Sequence, residues 1–225
     1  MLAKSDRAVT LVLTAAIGVM AVVAVRRDFF PPVNKGAPPA PPTYHAEWRD
    51  IASRGRLQGL LTAPVVVIEF ADLECPGCRA YQRVLQSVKN RYGSRLAISF
   101  VHFPISYHAN ALTAARGAEC AGESGRFHEF VAAVYSHQES LGVVPLWNIP
   151  SELGVGDSTE FARCLADTVR ADAVIAAHRA IADTLSIEMT PTILVNGWRF
   201  ARPPSEYYLD RFIKDQLSGK GPTSP

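Results

Sequence analysis

From Pro64 onward the hydrophobic positions switch between strand-like and helix-like spacing. Val65-Val66-Val67-Ile68-Glu69-Phe70 is a short β-branched run opened by a proline, and it predicts a buried central strand. Tyr81, Val84, Leu85 and Val88 then recur at i, i+3, i+4 and i+7, predicting a helix to about Asn90. Leu96 to Phe103 alternates well enough for a second strand, so the three segments form a βαβ unit with a parallel pair. A long helical region follows. His108 to Ala121 is alanine-rich, Gly122 and Gly125 break it, and Arg126 to Tyr135 resumes with Phe127, Phe130, Val131 and Val134 on one face. Past a loop with Gly142, Pro145 and Pro150, helices are predicted over Thr159 to Asp167 and Thr168 to Leu185, with Ser158 or Thr159 as N-cap. Thr192 to Val195 predicts a third strand, Asn196-Gly197 a tight hairpin turn, and Trp198 to Ala201 an antiparallel return. Pro203 to Leu217 closes with a helix, and Tyr44 to Arg56 has weak helical character around Trp48 and Ile51. The order is β-α-β, a helical block over about 106–186, then β-β-α. A block of that length packs as a subdomain rather than as a simple crossover.

The two ends read differently. Ala8 to Val25 is an uncharged run of 18 residues. As a helix it would span roughly 27 Å, enough for a bilayer core. We read residues 1–28 as an uncleaved single-helix membrane anchor. A small-residue site ending at Ala24 keeps a cleaved signal peptide open as the alternative. Basic residues flank the run on both sides (Lys4 and Arg7, then Arg26 and Arg27), so charge gives no orientation. Residues 29–43 are a proline-rich linker with six prolines between Pro31 and Thr43, too many for a helix or an inner strand. It would hold the folded domain, residues 44–217, up to ~40 Å from the membrane. Residues 218–225 are small and polar, and are expected to fray.

A formal net charge of +2, from 23 basic and 21 acidic residues, gives no electrostatic case for a nucleic-acid partner. The four cysteines divide into two kinds: Cys75 and Cys78 lie three positions apart, whereas Cys120 and Cys164 are 44 positions apart in sequence. Cys75-Pro76-Gly77-Cys78 stands between a strand end and a helix start. There the unpaired N–H groups and the helix dipole favour a thiolate on Cys75, and Pro76 gives up a donor that would be unpaired anyway. Cys78 lies one turn on, facing the first sulfur. Such a pair can attack a disulfide with Cys75 and resolve the mixed disulfide with Cys78. A zinc site would need a second close pair, which Cys120 and Cys164 do not make. No metal and no cofactor beyond the redox-active Cys75–Cys78 pair is expected.

The segment Val67-Ile68-Glu69-Phe70-Ala71-Asp72-Leu73-Glu74-Cys75-Pro76-Gly77-Cys78 resembles the DsbA-like branch of the thioredoxin superfamily. So do His102-Phe103-Pro104-Ile105, His108-Ala109-Asn110-Ala111, Ala118-Glu119-Cys120-Ala121, Gly125-Arg126-Phe127, Met189-Thr190-Pro191-Thr192 and Val195-Asn196-Gly197. The similarity covers roughly Trp48 to Leu217. It implies an α/β thioredoxin-like fold with an inserted helical subdomain, here preceded by a single transmembrane helix. It further implies a cis Pro191 that sets the Thr190 backbone beside the sulfurs, and a buried Glu69 serving proton transfer at Cys78. An edge-facing Glu69 is the plainer alternative. The resemblance also supports a Cys120–Cys164 structural disulfide, worth about 4 kcal/mol by the chain-entropy model; two buried free thiols are the alternative. The sequence departs from the pattern in having no histidine between the cysteines, which removes one source of thiolate stabilisation. Asp72 and Glu74 add negative charge near Cys75, which would oppose its ionisation; we read them as solvated loop residues. The six histidines are scattered and carry no assigned role, and Trp48, Trp147 and Trp198 are read as packing residues.

These readings make the protein a thiol–disulfide oxidoreductase of exported proteins, foremost an oxidase. Its catalytic domain would be periplasmic or on an equivalent extracytoplasmic side, with a membrane redox partner of the DsbB or vitamin K epoxide reductase type. The alternatives are a reductase or isomerase for a dedicated client, as in cytochrome maturation, and a metal-binding chaperone using the cysteine pair.

Overall fold

The computed structural model describes residues 40–143 and 158–222. The expected anchor at 1–28, most of the 29–43 linker, Pro145, Trp147, Pro150 and the last residues of the tail lie outside the described residues. Among the described residues no helix is long and apolar enough to cross a membrane.

In chain order the elements are β1 (Thr43–Tyr44), α1 (Trp48–Arg54), β2 (Arg56–Gln58), β3 (Val65–Ala71), α2 (Pro76–Tyr92), β4 (Leu96–His102), α3 (Ala111–Glu123), α4 (Phe127–Ser136), α5 (Ser158–Ala166), α6 (Val169–Thr184), β5 (Thr192–Val195), β6 (Trp198–Arg199) and α7 (Glu206–Leu217). The strands form one sheet in the order β1-β6-β5-β3-β4-β2. β3 and β4 run parallel, in register from Val65 opposite Leu96 to Ala71 opposite His102. The other pairings are antiparallel. This is the predicted βαβ unit followed by β-β-α, and the hairpin turn falls at Asn196 and Gly197, both with positive φ as a tight turn of this type requires.

The edges were missed. β1 and β2 are two and three residues long, too short to show a period, and each is held by pairing with a distant strand. Thr43, expected in the linker, is therefore part of the sheet. β4 is buried along its whole length rather than alternating, because layers cover both of its faces. α3 begins at Ala111, three residues later than expected, since 105–111 is spent on two turns, His108 N–H to Ile105 O and Ala111 N–H to His108 O. Ser158 is the first residue of α5, so the N-cap position falls at 157, outside the described residues. The start of the tail is tied down: the N–H groups of Lys220 and Gly221 both donate to Asp215 O at 2.9 Å.

Alternation along β3 divides the core. Val65 and Val67 pack with Tyr81, Leu85 and Val88 of α2 and with Leu209 and Ile213 of α7. Val66, Ile68 and Phe70 pack on the other side with Trp48, Ile51, Ala182 and Ile187. A third cluster joins Ala71, Leu73, Cys75 and Cys78 to Phe127, Phe130, Val131 and Phe161 of the helical insertion. Cys120 on α3 and Cys164 on α5 form a disulfide with Cα atoms 5.7 Å apart, inside that insertion.

Candidate active site

β3 delivers the chain to the edge of the helical insertion, and the loop Asp72-Leu73-Glu74 turns it into α2. Cys75 is the N-cap of α2 in extended conformation, and Pro76 takes the first helical position. Both sulfurs belong to free thiols. Cys78 is fully buried and Cys75 nearly so. A hydrogen bond from the Cys78 thiol is the largest influence on Cys75; together with the Thr190 side chain and the backbone N–H groups of Cys78 and Gly77 it outweighs burial and brings the Cys75 thiol down to about 5. That value lies in the range of reactive thiols at helix N-termini. Cys78 goes the other way: burial first, then its bond to Cys75 and the charge on Glu69, push it well above the ordinary thiol value. One sulfur is thus ionised at neutral pH and the other holds its proton. The thiolate is stabilised without the histidine whose absence the sequence exposed.

The Thr190–Pro191 peptide bond is cis. Thr190 O lies 3.6 Å from Cys75 Sγ, a contact that a thiol can donate into and a thiolate cannot. The Thr190 hydroxyl is buried and makes no hydrogen bond of good geometry. Gly77 permits the approach of α2 to this loop: a Cβ there would stand 3.3 Å from Pro191 Cδ and 3.5 Å from Cys75 Sγ.

Glu69 is not on an edge. Its strand is paired on both sides, and its side chain shares the α2 face with Val65 and Val67. It is buried, and its Oε1 has no protein partner. Burial, reinforced by the charge of Cys75, pushes its carboxyl up to about 8. The carboxyl is thus neutral near pH 7, and it is electrostatically coupled to Cys78.

Asp72 and Glu74 are not solvated loop residues. Asp72 is buried; its Oδ1 accepts the Glu74 N–H at 2.7 Å, and its Oδ2 accepts the Ile105 N–H at 2.7 Å and pairs with His108 Nδ1 at 2.8 Å. Glu74 accepts the Asn110 backbone N–H at 2.6 Å and its side-chain amide at 3.0 Å. Their charges are absorbed by these partners, and neither is among the groups that set the acidity of Cys75. Gln138, another residue the sequence left unmarked, donates Nε2 to Leu73 O at 2.9 Å and to Cys75 O at 3.0 Å. Two histidines also have buried structural places: His178 Nδ1 accepts the His102 N–H at 3.1 Å, and the two rings stack. Among the described residues no group of three or more His, Cys, Asp or Glu side chains could hold a metal ion.

A Cys-x-x-Cys pair at a helix start, facing a cis-proline loop across a mixed sheet, defines a thioredoxin-fold dithiol centre. A family model described as thioredoxin matches residues 52–215, and the chain belongs to that family. Among solved structures it is similar to a thioredoxin-like oxidoreductase from Silicibacter pomeroyi DSS-3 (TM-score 0.63, 21% identity, covering 78% of this chain and 98% of that one). It is likewise similar to Pseudomonas aeruginosa DsbA2 (TM-score 0.58, 25% identity, covering 81% and 97%). Among curated relatives, a Na(+)/H(+) antiporter NhaA 1 of Mycolicibacterium gilvum is 30% identical over 156 residues, 67% of this chain. The match spans 24% of the antiporter's length.

Proposed function

We propose that this protein is a thiol–disulfide oxidoreductase that oxidises dithiols of exported proteins through Cys75 and Cys78. The observation that carries this reading is the split acidity of the pair, with Cys75 brought down to about 5 while Cys78 is pushed up. A stabilised thiolate favours the reduced protein, so the Cys75–Cys78 disulfide is an electron acceptor toward substrates. In the oxidising direction a substrate thiolate attacks Cys75 Sγ, the Cys75–Cys78 bond breaks, and Cys78 leaves with the electron pair. Glu69 supplies the proton that Cys78 then holds. The second substrate thiolate attacks its own mixed sulfur, forming the substrate disulfide and releasing Cys75 as a thiolate. Pro191 and Thr190 form the wall beside which the substrate chain lies. Glu69 takes a proton back from solvent, and two electrons with the proton on Cys78 must then leave to a membrane oxidant, for which a partner of the DsbB or vitamin K epoxide reductase type has the right chemistry.

Export is supported by the Cys120–Cys164 disulfide, which needs an oxidising compartment. The apolar run Ala8 to Val25 would hold the domain at the membrane, with residues 29–42 as spacer. The test is dithiol oxidation and insulin reduction by the full chain in detergent, beside Cys75→Ser, with the reduction potential measured in glutathione buffers. A potential above that of the glutathione pool, with oxidation lost in Cys75→Ser, supports an oxidase. A low potential with insulin reduction makes it a reductase, and a protein inert in both that binds metal stoichiometrically is a metal chaperone.

A further inference from the structure

Every polar atom of Asp72 is engaged. Its carboxylate is wholly buried and takes the three bonds described above, one of them to the partly buried ring of His108. Its carbonyl accepts the Cys75 N–H at 3.1 Å and the Tyr135 hydroxyl at 3.4 Å. Its own N–H points at Cys78 Sγ, 3.5 Å away. A buried carboxylate is costly unless saturated with donors, and here one comes from the neighbouring Glu74 N–H and two from the β4–α3 loop, 33 and 36 residues further along the chain. The clamp therefore sets where this one backbone donor lies relative to a sulfur that otherwise sits in an apolar and electronegative place. Burial, Cys75 and Glu69 all disfavour charge on Cys78, and the Asp72 N–H is the group that favours it.

We propose that Asp72 is a positioning residue, its carboxylate gripped by Ile105 and His108 so that its N–H is fixed against Cys78 Sγ when that sulfur carries charge. The proposal rests on the exchange activity proposed above. When a substrate thiolate bonds to Cys75 the S–S electron pair passes to Cys78 Sγ, beside this N–H. In the reverse step the Cys78 thiolate attacks Cys75 Sγ of a mixed disulfide and the substrate thiolate is expelled. Either way, the Asp72 N–H acts on the resolving sulfur rather than on the attacking one.

The test uses the full chain, reduced and then converted at Cys75 to a mixed disulfide with oxidised glutathione. The rate at which Cys78 releases glutathione is followed against pH for the wild type, Asp72→Asn and His108→Ala, with folding checked by circular dichroism. The titratable groups facing Cys78, which are Cys75, Glu69 and Tyr135, are left in place by both variants. Release is expected to slow about tenfold in Asp72→Asn and less in His108→Ala, its pH midpoint moving upward, as for loss of a hydrogen bond to a charged sulfur. Alkylation of the Cys75 thiolate by iodoacetamide should change by no more than about twofold. If Asp72→Asn does not fold, His108→Ala, whose ring is partly exposed, decides alone. Unchanged release, or release and alkylation slowed together, overturns the proposal. A wild type that neither forms the mixed disulfide nor ends as the Cys75–Cys78 disulfide overturns the underlying reading instead.

Discussion

Arg56 and Glu119, separated by 63 positions, meet as a two-pronged ion pair between edge strand β2 and helix α3. His102 Nε2 adds a third contact to the same carboxylate at 3.0 Å. Glu119 is almost fully enclosed, whereas Arg56 is partly exposed. Burial alone would raise this carboxyl; the bonds from His102 and Arg56 outweigh it and hold it at about 2. A carboxylate held below its ordinary value contributes stability that is present above about 4.5 and lost as pH falls toward 2. Arg56→Met is therefore expected to lower stability at neutral pH by about 2 kcal/mol, discounted for the exposed arginine. It should also flatten the loss on acidification. Denaturant unfolding of the two proteins between pH 2 and 7 checks both.

The stability of the reduced protein carries opposing slopes from Glu69 and Cys75. Glu69 is raised to about 8 in the fold, so between its ordinary 4.5 and 8 the unfolded chain has released a proton that the folded one retains, and stability falls with rising pH. Cys75 is lowered from 9 to about 5, so over that window the folded protein has released a proton that the unfolded chain retains, and stability rises with pH. Each slope is at most about 1.4 kcal/mol per pH unit. From pH 5 to 8 they offset, and the reduced wild type should be nearly flat. Glu69→Gln should leave the rising slope and Cys75→Ser the falling one. Unfolding of the dithiol proteins at four pH values reads this.

The acidity of Cys75 depends first on the Cys78 thiol. Cys78→Ala is expected to raise the Cys75 midpoint by about one unit, and Cys78→Ser, which keeps a donor, by less. Ultraviolet thiolate absorbance against pH distinguishes the two.

The Cys120–Cys164 bond closes a loop with a sequence separation of 44. Replacing both cysteines by serine should destabilise the domain by about 2–4 kcal/mol. The Cys75 and Cys78 thiols should stay a reactive pair, since neither the α2 start nor the Thr190–Pro191 loop carries the bridge. Thermal unfolding should shift while the iodoacetamide reactivity of Cys75 does not.

The strands that bury both faces and the helices with apolar faces were legible because their periods are local. So were Cys75 and Cys78, a pair three positions apart between a strand end and a helix start, and Glu69, a carboxylate out of place in a Val/Ile run. Asp72 was misread because what makes it structural is remote: Ile105, His108 and Tyr135 stand 33, 36 and 63 residues further on. Gln138, His102 and His178 carry no local signal for the same reason, and β1 and β2 exist only through their partners. The sequence showed which residues carry sulfur chemistry, but not which ones hold them in place.

The proposed exchange chemistry requires Cys75 to ionise far below an ordinary thiol while its neighbour keeps its proton. Its most direct test is the pH titration of thiolate absorbance in the fully reduced chain, with the alkylated residue identified by mass spectrometry. The prediction is a single thiolate with a midpoint near 5, alkylated at Cys75 and absent from Cys75→Ser. A first midpoint near 9, or a low one that survives in Cys75→Ser, would contradict it.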